Sequence, residues 1–148
     1  MGSTLTHSNA TYSMVDFMFS GVLVRFPELK LAYAEGQIGW IPYILERADT
    51  VWEENRGWGG VADIVPEPPS TYFYRQIYGC FFSDAFGLKN IESIGVDNIT
   101  YESDYPHSDS TWPETRQIAE KQMKDLTEEQ IYKIVRGNAI KLYDLDFK

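Results

Sequence analysis

Cysteine, histidine and basic residues are all scarce in this sequence of 148 residues. The single cysteine, Cys80, cannot form an intrachain disulfide or build a thiolate zinc cage, so small disulfide-stabilised folds and zinc fingers are excluded. The 13 Lys and Arg residues are outnumbered by 22 Asp and Glu, which gives a formal net charge of −9. This charge repels phosphate backbones and anionic lipids, so we expect neither nucleic acid nor a membrane surface as a partner.

Long hydrophobic segments are also missing. The main apolar stretch, residues 14–24, contains Asp16 and has about half of the roughly 20 residues that a membrane-spanning helix needs. No basic segment precedes it, so it does not have the pattern of a secretory signal. We therefore expect a cytoplasmic protein, in agreement with the reducing conditions that a lone cysteine favours.

The composition that is present is typical of one globular domain. Hydrophobic residues make up 43% of the chain and aromatic residues 15%, which is enough to form a core. We therefore expect a single domain over residues 1–148. The chain is well short of the roughly 250 residues of a complete eight-fold α/β barrel, so this domain is either one small core or part of a larger one.

Hydrophobic periodicity predicts helices alternating with strands. The predicted strands are apolar and bounded by proline, glycine or polar residues, and they span 29–34, 76–82 and 98–102. Helices are predicted at 8–25, from about 41 to 54, at 86–94, from about 111 with Pro113 in the first turn, and after a capping box at 127–130. The glycine- and proline-rich stretch 57–70 predicts a long ordered loop, with Trp58 and Ile64 as its anchors. Strands separated by helices indicate an α/β fold with a parallel sheet.

Polar side chains follow each predicted strand, where a parallel sheet places its ligands. They are Glu35 after the first strand, Ser83 and Asp84 after the second, and Asp104 and His107 after the third. The last two share one loop, and a histidine beside a carboxylate binds divalent metals or transfers protons. Each of these residues also has an ordinary interpretation as a helix cap or a solvated turn residue, and periodicity alone favours it.

Other chemical motifs are weak. Residues 36–39 contain two glycines but lack the third glycine and the Lys-Ser/Thr pair of a phosphate-binding loop. Cys80 lies in an apolar run, which is more typical of core packing than of a nucleophile. Glu35 is either a general base at a strand end or a cap for the helix that begins near Trp40. The aromatic residues at 72–74 can stack on a ring or a sugar, although aromatic clusters more often form core.

Four ordered motifs resemble the C-terminal half of the amidohydrolase-related family. They are FPELK at 26–30, AEGQIGWIPYILER at 34–47, ESDYPH at 102–107 and RGNAI at 136–140. The branch that they resemble includes aminocarboxymuconate-semialdehyde decarboxylase and the resorcylate decarboxylases. The resemblance implies a metal-dependent (β/α)8 barrel, of which this chain holds about the last three strand–helix units and the C-terminal helices.

The resemblance also implies roles for individual residues. Asp104 becomes a ligand of a divalent metal, usually zinc, and a catalytic proton acceptor, and Glu35 becomes a second catalytic residue. His107 and Trp40 line the substrate pocket. The sequence departs from the family in two ways. The family's metal-binding His-x-His after strand one and its histidine after strand five have no counterpart in this chain. At the acid/base position, Glu35 stands where many decarboxylases carry histidine. His7 lies at the start of a predicted helix and is not expected to replace those ligands.

The expected function is therefore metal-dependent hydrolysis or decarboxylation of a small carboxylated or cyclic substrate. A chain with three of eight barrel units leaves strand edges unpaired, so we expect it to need the missing N-terminal half or a second copy as partner, and to be inactive alone. One alternative is a non-catalytic acidic α/β module that binds a partner through residues 57–70. Another is a glycosidase that uses Glu35 and Asp104 as paired carboxylates.

Overall fold

A three-stranded parallel sheet organises the computed structural model, which describes residues 3–5 and 7–146. The strands are β1 (Leu31–Tyr33), β2 (Ile77–Phe81) and β3 (Ile99–Tyr101), in the order β1-β2-β3. Ala32 pairs with Tyr78 on one side of β2, and Cys80 pairs with Thr100 on the other. Every residue of β2 is buried, as expected for a central parallel strand. The predicted parallel α/β fold and its three strands are confirmed, with each strand shorter than predicted.

The N-terminal helix is divided, so the prediction of one helix over 8–25 is wrong. A short 3₁₀ turn at Ser3–Leu5 precedes α1 (His7–Phe19), and α2 (Val22–Arg25) follows a break at Gly21. Gly21 has a φ of 72°, which L side chains rarely adopt, and a Cβ there would lie 2.7 Å from Ile64 Cγ2. The close approach of the 61–65 segment therefore requires a glycine in a non-helical conformation.

The helix α3 (Ile41–Asn55) carries the clearest amphipathic pattern and is confirmed. Pro42 lies in its first turn, where a missing amide hydrogen removes no helical bond. The predicted apolar stripe is buried in the core; it consists of Ile41, Leu45, Ala48 and Trp52.

The loop after α3 is anchored differently from the prediction. Trp58 is 79% exposed and Ile64 is also exposed, whereas Val65 is fully buried and its carbonyl accepts a hydrogen bond from Trp52 Nε1 at 2.8 Å. A helix that the sequence pattern did not predict, α4 (Pro69–Gln76), follows this loop. Asp49 of α3 holds its start, because its carboxylate accepts from the backbone amide and the hydroxyl of Ser70.

The C-terminal half surrounds the end of the sheet with short helices. The predicted helix at 86–94 is two helices, α5 (Ala85–Lys89) and α6 (Ile91–Ile94), and a 3₁₀ turn at Val96–Asn98 leads into β3. The next helix, α7 (Thr115–Gln122), begins after Pro113 and not before it. The capping box of Thr127 and Gln130 opens α8 (Glu128–Tyr132) as predicted. A π-helical turn at Lys133–Gly137 and α9 (Asn138–Tyr143) complete the chain.

Buried side chains from both halves meet in one core. Asn138 joins the last helix to the sheet region, because its Nδ2 donates to the carbonyls of Val96 and Ile99 at 2.7 Å each. Among the described residues, no helix combines the length and the apolar character that crossing a bilayer requires. The core fixes the strand ends and therefore the loops that follow them.

Candidate metal-binding site

Three predicted site residues converge at the carboxyl ends of the outer strands. Glu35 follows β1, and Asp104 and His107 follow β3. One ligand atom of each residue lies within 4.8 Å of the corresponding atoms of the other two. The sheet topology produces this meeting, because parallel strands bring their carboxyl ends to the same edge.

Two hydrogen bonds join Asp104 and His107 within this cluster. The imidazole Nδ1 of His107 lies 2.8 Å from Asp104 Oδ1, and the backbone amide of His107 donates to the Asp104 carbonyl at 2.9 Å. The Asp104 side chain is 9% exposed and the His107 side chain is 63% exposed. Asp104 is therefore the shielded member that orients an accessible imidazole.

Glu35 is the second carboxylate near the imidazole. Its Oε1 lies 3.7 Å from His107 Nδ1, and its side chain is exposed. The pKa of His107 is raised above its usual 6.5, first by the hydrogen bond to Asp104 and further by the negative charges of Asp104 and Glu35. The cluster therefore stabilises positive charge at this point, whether that charge is a proton or a cation.

The backbone beneath these side chains adopts an unusual conformation. Glu35, Gln37 and Asp104 have φ values of 58°, 55° and 57°, although none of them is glycine. Each such conformation costs about 1–3 kcal/mol and persists only where surrounding contacts hold it. Backbone strain of this kind concentrates at functional sites, and here it coincides with two of the three clustered residues.

A cavity of about 330 Å³ opens beside the cluster. Nine described residues line it: Thr4, His7, Glu35, Gln37, Phe82, Asp104, His107, Ser108 and Asp109. The Gln37 side chain has a buried Oε1 without a hydrogen-bond donor among the described residues. His7, which was not expected to replace the missing histidine ligands, shares this cavity. The lining carries carboxylates and imidazoles but no lysine or arginine, which favours a cation as an occupant.

Asp84 has a structural position, in agreement with its interpretation as a helix cap. Its Oδ2 accepts from the backbone amides of Ile38 at 2.8 Å and Gly39 at 2.6 Å, and its Oδ1 accepts from Gly87 at 2.7 Å. It therefore caps α5 and also fastens the loop between β1 and α3. The alternative interpretation of Glu35 as a cap for the helix that begins near Trp40 is wrong, because Trp40 is the N-cap of α3 and no side chain caps it.

Trp40 and Cys80 lie away from the cluster. The Trp40 Nε1 donates to the Gly36 carbonyl at 2.7 Å, and its ring lines a separate surface groove with His7 and Tyr12. The Cys80 thiol is buried in β2, and desolvation raises its pKa to about 12. The expectation that Cys80 is a core residue is confirmed.

Glu102 belongs to the site, although sequence reasoning passed over it. Its Oε1 accepts a hydrogen bond from the Glu35 amide at 2.6 Å, which links the end of β3 to the end of β1. Burial raises the pKa of Glu102, with smaller contributions from Asp104 and Glu35 in the same direction and from hydrogen bonds in the opposite one. The available indication was position: Glu102 comes directly after β3, at the strand end where a parallel sheet gathers its functional side chains.

The donor set fits a divalent cation. Two carboxylates and one imidazole are ligands that zinc and related ions accept, and they are close enough to contact one ion. Zinc in proteins usually takes four ligands, so these three residues would supply part of its coordination.

Comparison with known proteins identifies the family. The sequence model of the family described as Amidohydrolase matches residues 4–145. This chain belongs to the amidohydrolase family. The resemblance inferred from the four motifs is therefore confirmed, and the match extends over almost the whole chain. No curated protein matches the chain.

Two solved structures share the fold of this chain. One is the amidohydrolase map2389c from Mycobacterium avium subsp. paratuberculosis K-10, with a TM-score of 0.78 and 23% identity over 92% of this chain and 33% of that chain. The other is the 5-carboxyvanillate decarboxylase LigW from Sphingomonas paucimobilis, with a TM-score of 0.69 and 24% identity over 89% of this chain and 38% of that chain. The amidohydrolase chain therefore spans only about a third of the length of each of these proteins.

Proposed function

We propose that this chain is the C-terminal portion of a metal-dependent (β/α)8 barrel that hydrolyses or decarboxylates a small carboxylated or cyclic substrate. The observation that carries the proposal is the convergence of Glu35, Asp104 and His107 at the carboxyl ends of parallel strands. Barrel enzymes build their active sites at this end of the sheet. Family membership and the decarboxylase among the similar structures support the reaction class.

We assign Asp104 as a ligand of a divalent cation, and zinc is the ion that we propose. Glu35 and His107 are neighbouring donors. A bound divalent cation polarises a carbonyl or carboxylate oxygen and stabilises the negative charge that develops on it. The family's histidine ligands have no counterpart in this chain, so we propose that a complete site needs further donors from a second polypeptide or copy. The chain alone is then inactive.

Residues of this chain would orient the substrate and exchange protons with it. Asp104 fixes the orientation of the His107 ring through the 2.8 Å contact to Nδ1, and His107 lines the cavity. His107 is thereby suited to bind a substrate oxygen. Glu35 reaches the same cavity and is suited to accept or return a proton. Hydrolysis and decarboxylation use the same groups, and we propose a cytoplasmic setting for either.

The non-catalytic module is the second candidate. One observation favours it: Trp58 is 79% exposed on the loop that was proposed to bind a partner. Large exposed aromatic side chains are common at protein interfaces. A module of this kind has no need for a metal, so metal binding separates the two functions.

Zinc titration of the purified chain tests the proposed function. We expect Zn²⁺ to bind with one-to-one stoichiometry in calorimetry, and Asp104→Ala to weaken binding by about tenfold or more, since a ligand is lost. Asp125→Ala is the matched control, because Asp125 is an exposed aspartate outside the cluster. Equal affinity in both variants would exclude Asp104 as a ligand. Absence of zinc binding by the unchanged chain would show that Glu35, Asp104 and His107 alone do not form a metal site.

A further inference from the structure

We propose that Glu102 is a positioning residue that holds Glu35 in its active orientation by accepting the Glu35 amide hydrogen. The inference rests on the proposed function in one respect, which is that Glu35 takes part in the chemistry of the site. The geometry itself is independent of that role, because the 2.6 Å contact between Glu35 N and Glu102 Oε1 joins two loops that follow different strands.

The contact acts at the point where the backbone needs support. Glu35 has a φ of 58°, a conformation that costs a non-glycine residue about 1–3 kcal/mol unless contacts stabilise it. A hydrogen bond from an amide to a carboxylate is charge-assisted and among the stronger ones in proteins. The Glu102 carboxylate is therefore placed to stabilise this conformation, and with it the direction of the Glu35 side chain towards His107.

The loop is held from both sides by carboxylates. Asp84, which follows β2, accepts the amides of Ile38 and Gly39, and Glu102, which follows β3, accepts the amide of Glu35. Removal of Glu102 keeps the contacts of Asp84 with Ile38 and Gly39, and it releases only the Glu35 end of the loop. This asymmetry makes a local effect on Glu35 measurable without loss of the fold.

Glu102 is itself fixed by its surroundings. Its backbone amide donates to the Phe81 carbonyl at 3.0 Å, and its side chain interacts with the buried thiol of Cys80. A carboxylate held at both its backbone and its head group acts as a rigid acceptor, which is what a positioning role requires.

Amide hydrogen exchange, measured by NMR on the full chain, tests the hydrogen bond without any metal. Glu102→Ala should accelerate exchange of the Glu35 amide by about tenfold or more, because the amide loses its acceptor. Glu102→Gln should leave it nearly unchanged, since its amide oxygen still accepts. Glu102→Asp, which keeps the charge but shortens the side chain, should behave like the alanine variant. The control, Glu54→Ala, removes an exposed glutamate from α3.

Zinc affinity then tests whether the hydrogen bond between Glu102 and the Glu35 amide orients the Glu35 side chain for metal binding. We expect Glu102→Ala to weaken Zn²⁺ binding by about tenfold, in the range typical of residues that orient ligands, and to have no further effect in a Glu35→Ala background. Rescue by glutamine distinguishes positioning from a charge effect. Unchanged Glu35 exchange in both the alanine and the aspartate variants would overturn the inference. Altered exchange in a chain that binds no zinc would support the hydrogen bond and refute the proposed metal site.

Discussion

Glu35 and Asp104 are distant in the sequence, yet each lies shortly after the end of its strand. Both follow a short parallel strand and both have a positive φ. Their proximity to His107 was predictable from the topology, because strand ends of a parallel sheet share an edge. The link through Glu102 was not predictable, since a glutamate at a strand end usually faces solvent and its backbone partner lies on another loop.

At the scale of the residue, Cys80 provides a test of burial and pH. Desolvation raises the pKa of the Cys80 thiol to about 12, so the thiol is neutral in the folded chain at pH 8.5. We expect iodoacetamide to modify Cys80 slowly at pH 8.5 in the folded chain and rapidly in urea, because unfolding restores the ordinary pKa. Mass spectrometry at several urea concentrations measures this. Rapid labelling without denaturant would contradict the burial of Cys80 in β2.

At the scale of the element, hydrophobic periodicity predicted the presence of helices and strands better than it predicted where each of them begins and ends. The stripe of α3 and the capping box of α8 were predicted from local sequence because each depends on neighbouring positions only. The break at Gly21 and the helix α4 depend on distant contacts, with Ile64 and Asp49 respectively. Long-range contacts of this kind leave no periodic pattern in the sequence.

Asp84 connects three elements, and its loss should be costly. Its carboxylate accepts three backbone amides, so Asp84→Ala leaves three donors without their partner and should lower the free energy of unfolding by about 3 kcal/mol. Urea denaturation followed by circular dichroism measures the change.

Two further variants test whether the loss of stability comes from the hydrogen bonds of Asp84. Asp84→Asn keeps one acceptor oxygen and should cost less than the alanine variant. Asp125→Ala, an exposed position, should change stability by less than about 0.5 kcal/mol. An alanine variant as stable as the original chain would show that these hydrogen bonds do not hold the loop.

At the scale of the whole molecule, the sheet has two outer strands. Ala32 of β1 is exposed, and strands with an unpaired edge promote association with other chains. The similar structures are about three times longer than the aligned region. We propose that β1 is the edge at which the remainder of the barrel, or a second copy of this chain, would pair.

Self-association of the purified chain tests that proposal. We expect light scattering after size-exclusion chromatography to give a mass above 17.0 kDa, and Ala32→Lys to shift the population towards the monomer, because a charge on an edge strand disfavours pairing. Gln117→Lys, which adds the same charge on α7, should have no effect. A monodisperse monomer at every concentration would exclude β1 as an open association edge.

The sequence alone determined the alternation of helices and strands, the parallel sheet, the burial of Cys80, the family, and the carboxylates and histidine that follow the strands. These features depend on local periodicity, on composition and on short motifs, all of which are read along the chain. The tertiary structure alone decided that Glu102 supports Glu35, that Asp84 fastens two loops, and that the N-terminal helix breaks at Gly21. Each of these depends on a contact between distant residues, and the energy of such a contact is fixed by three-dimensional packing.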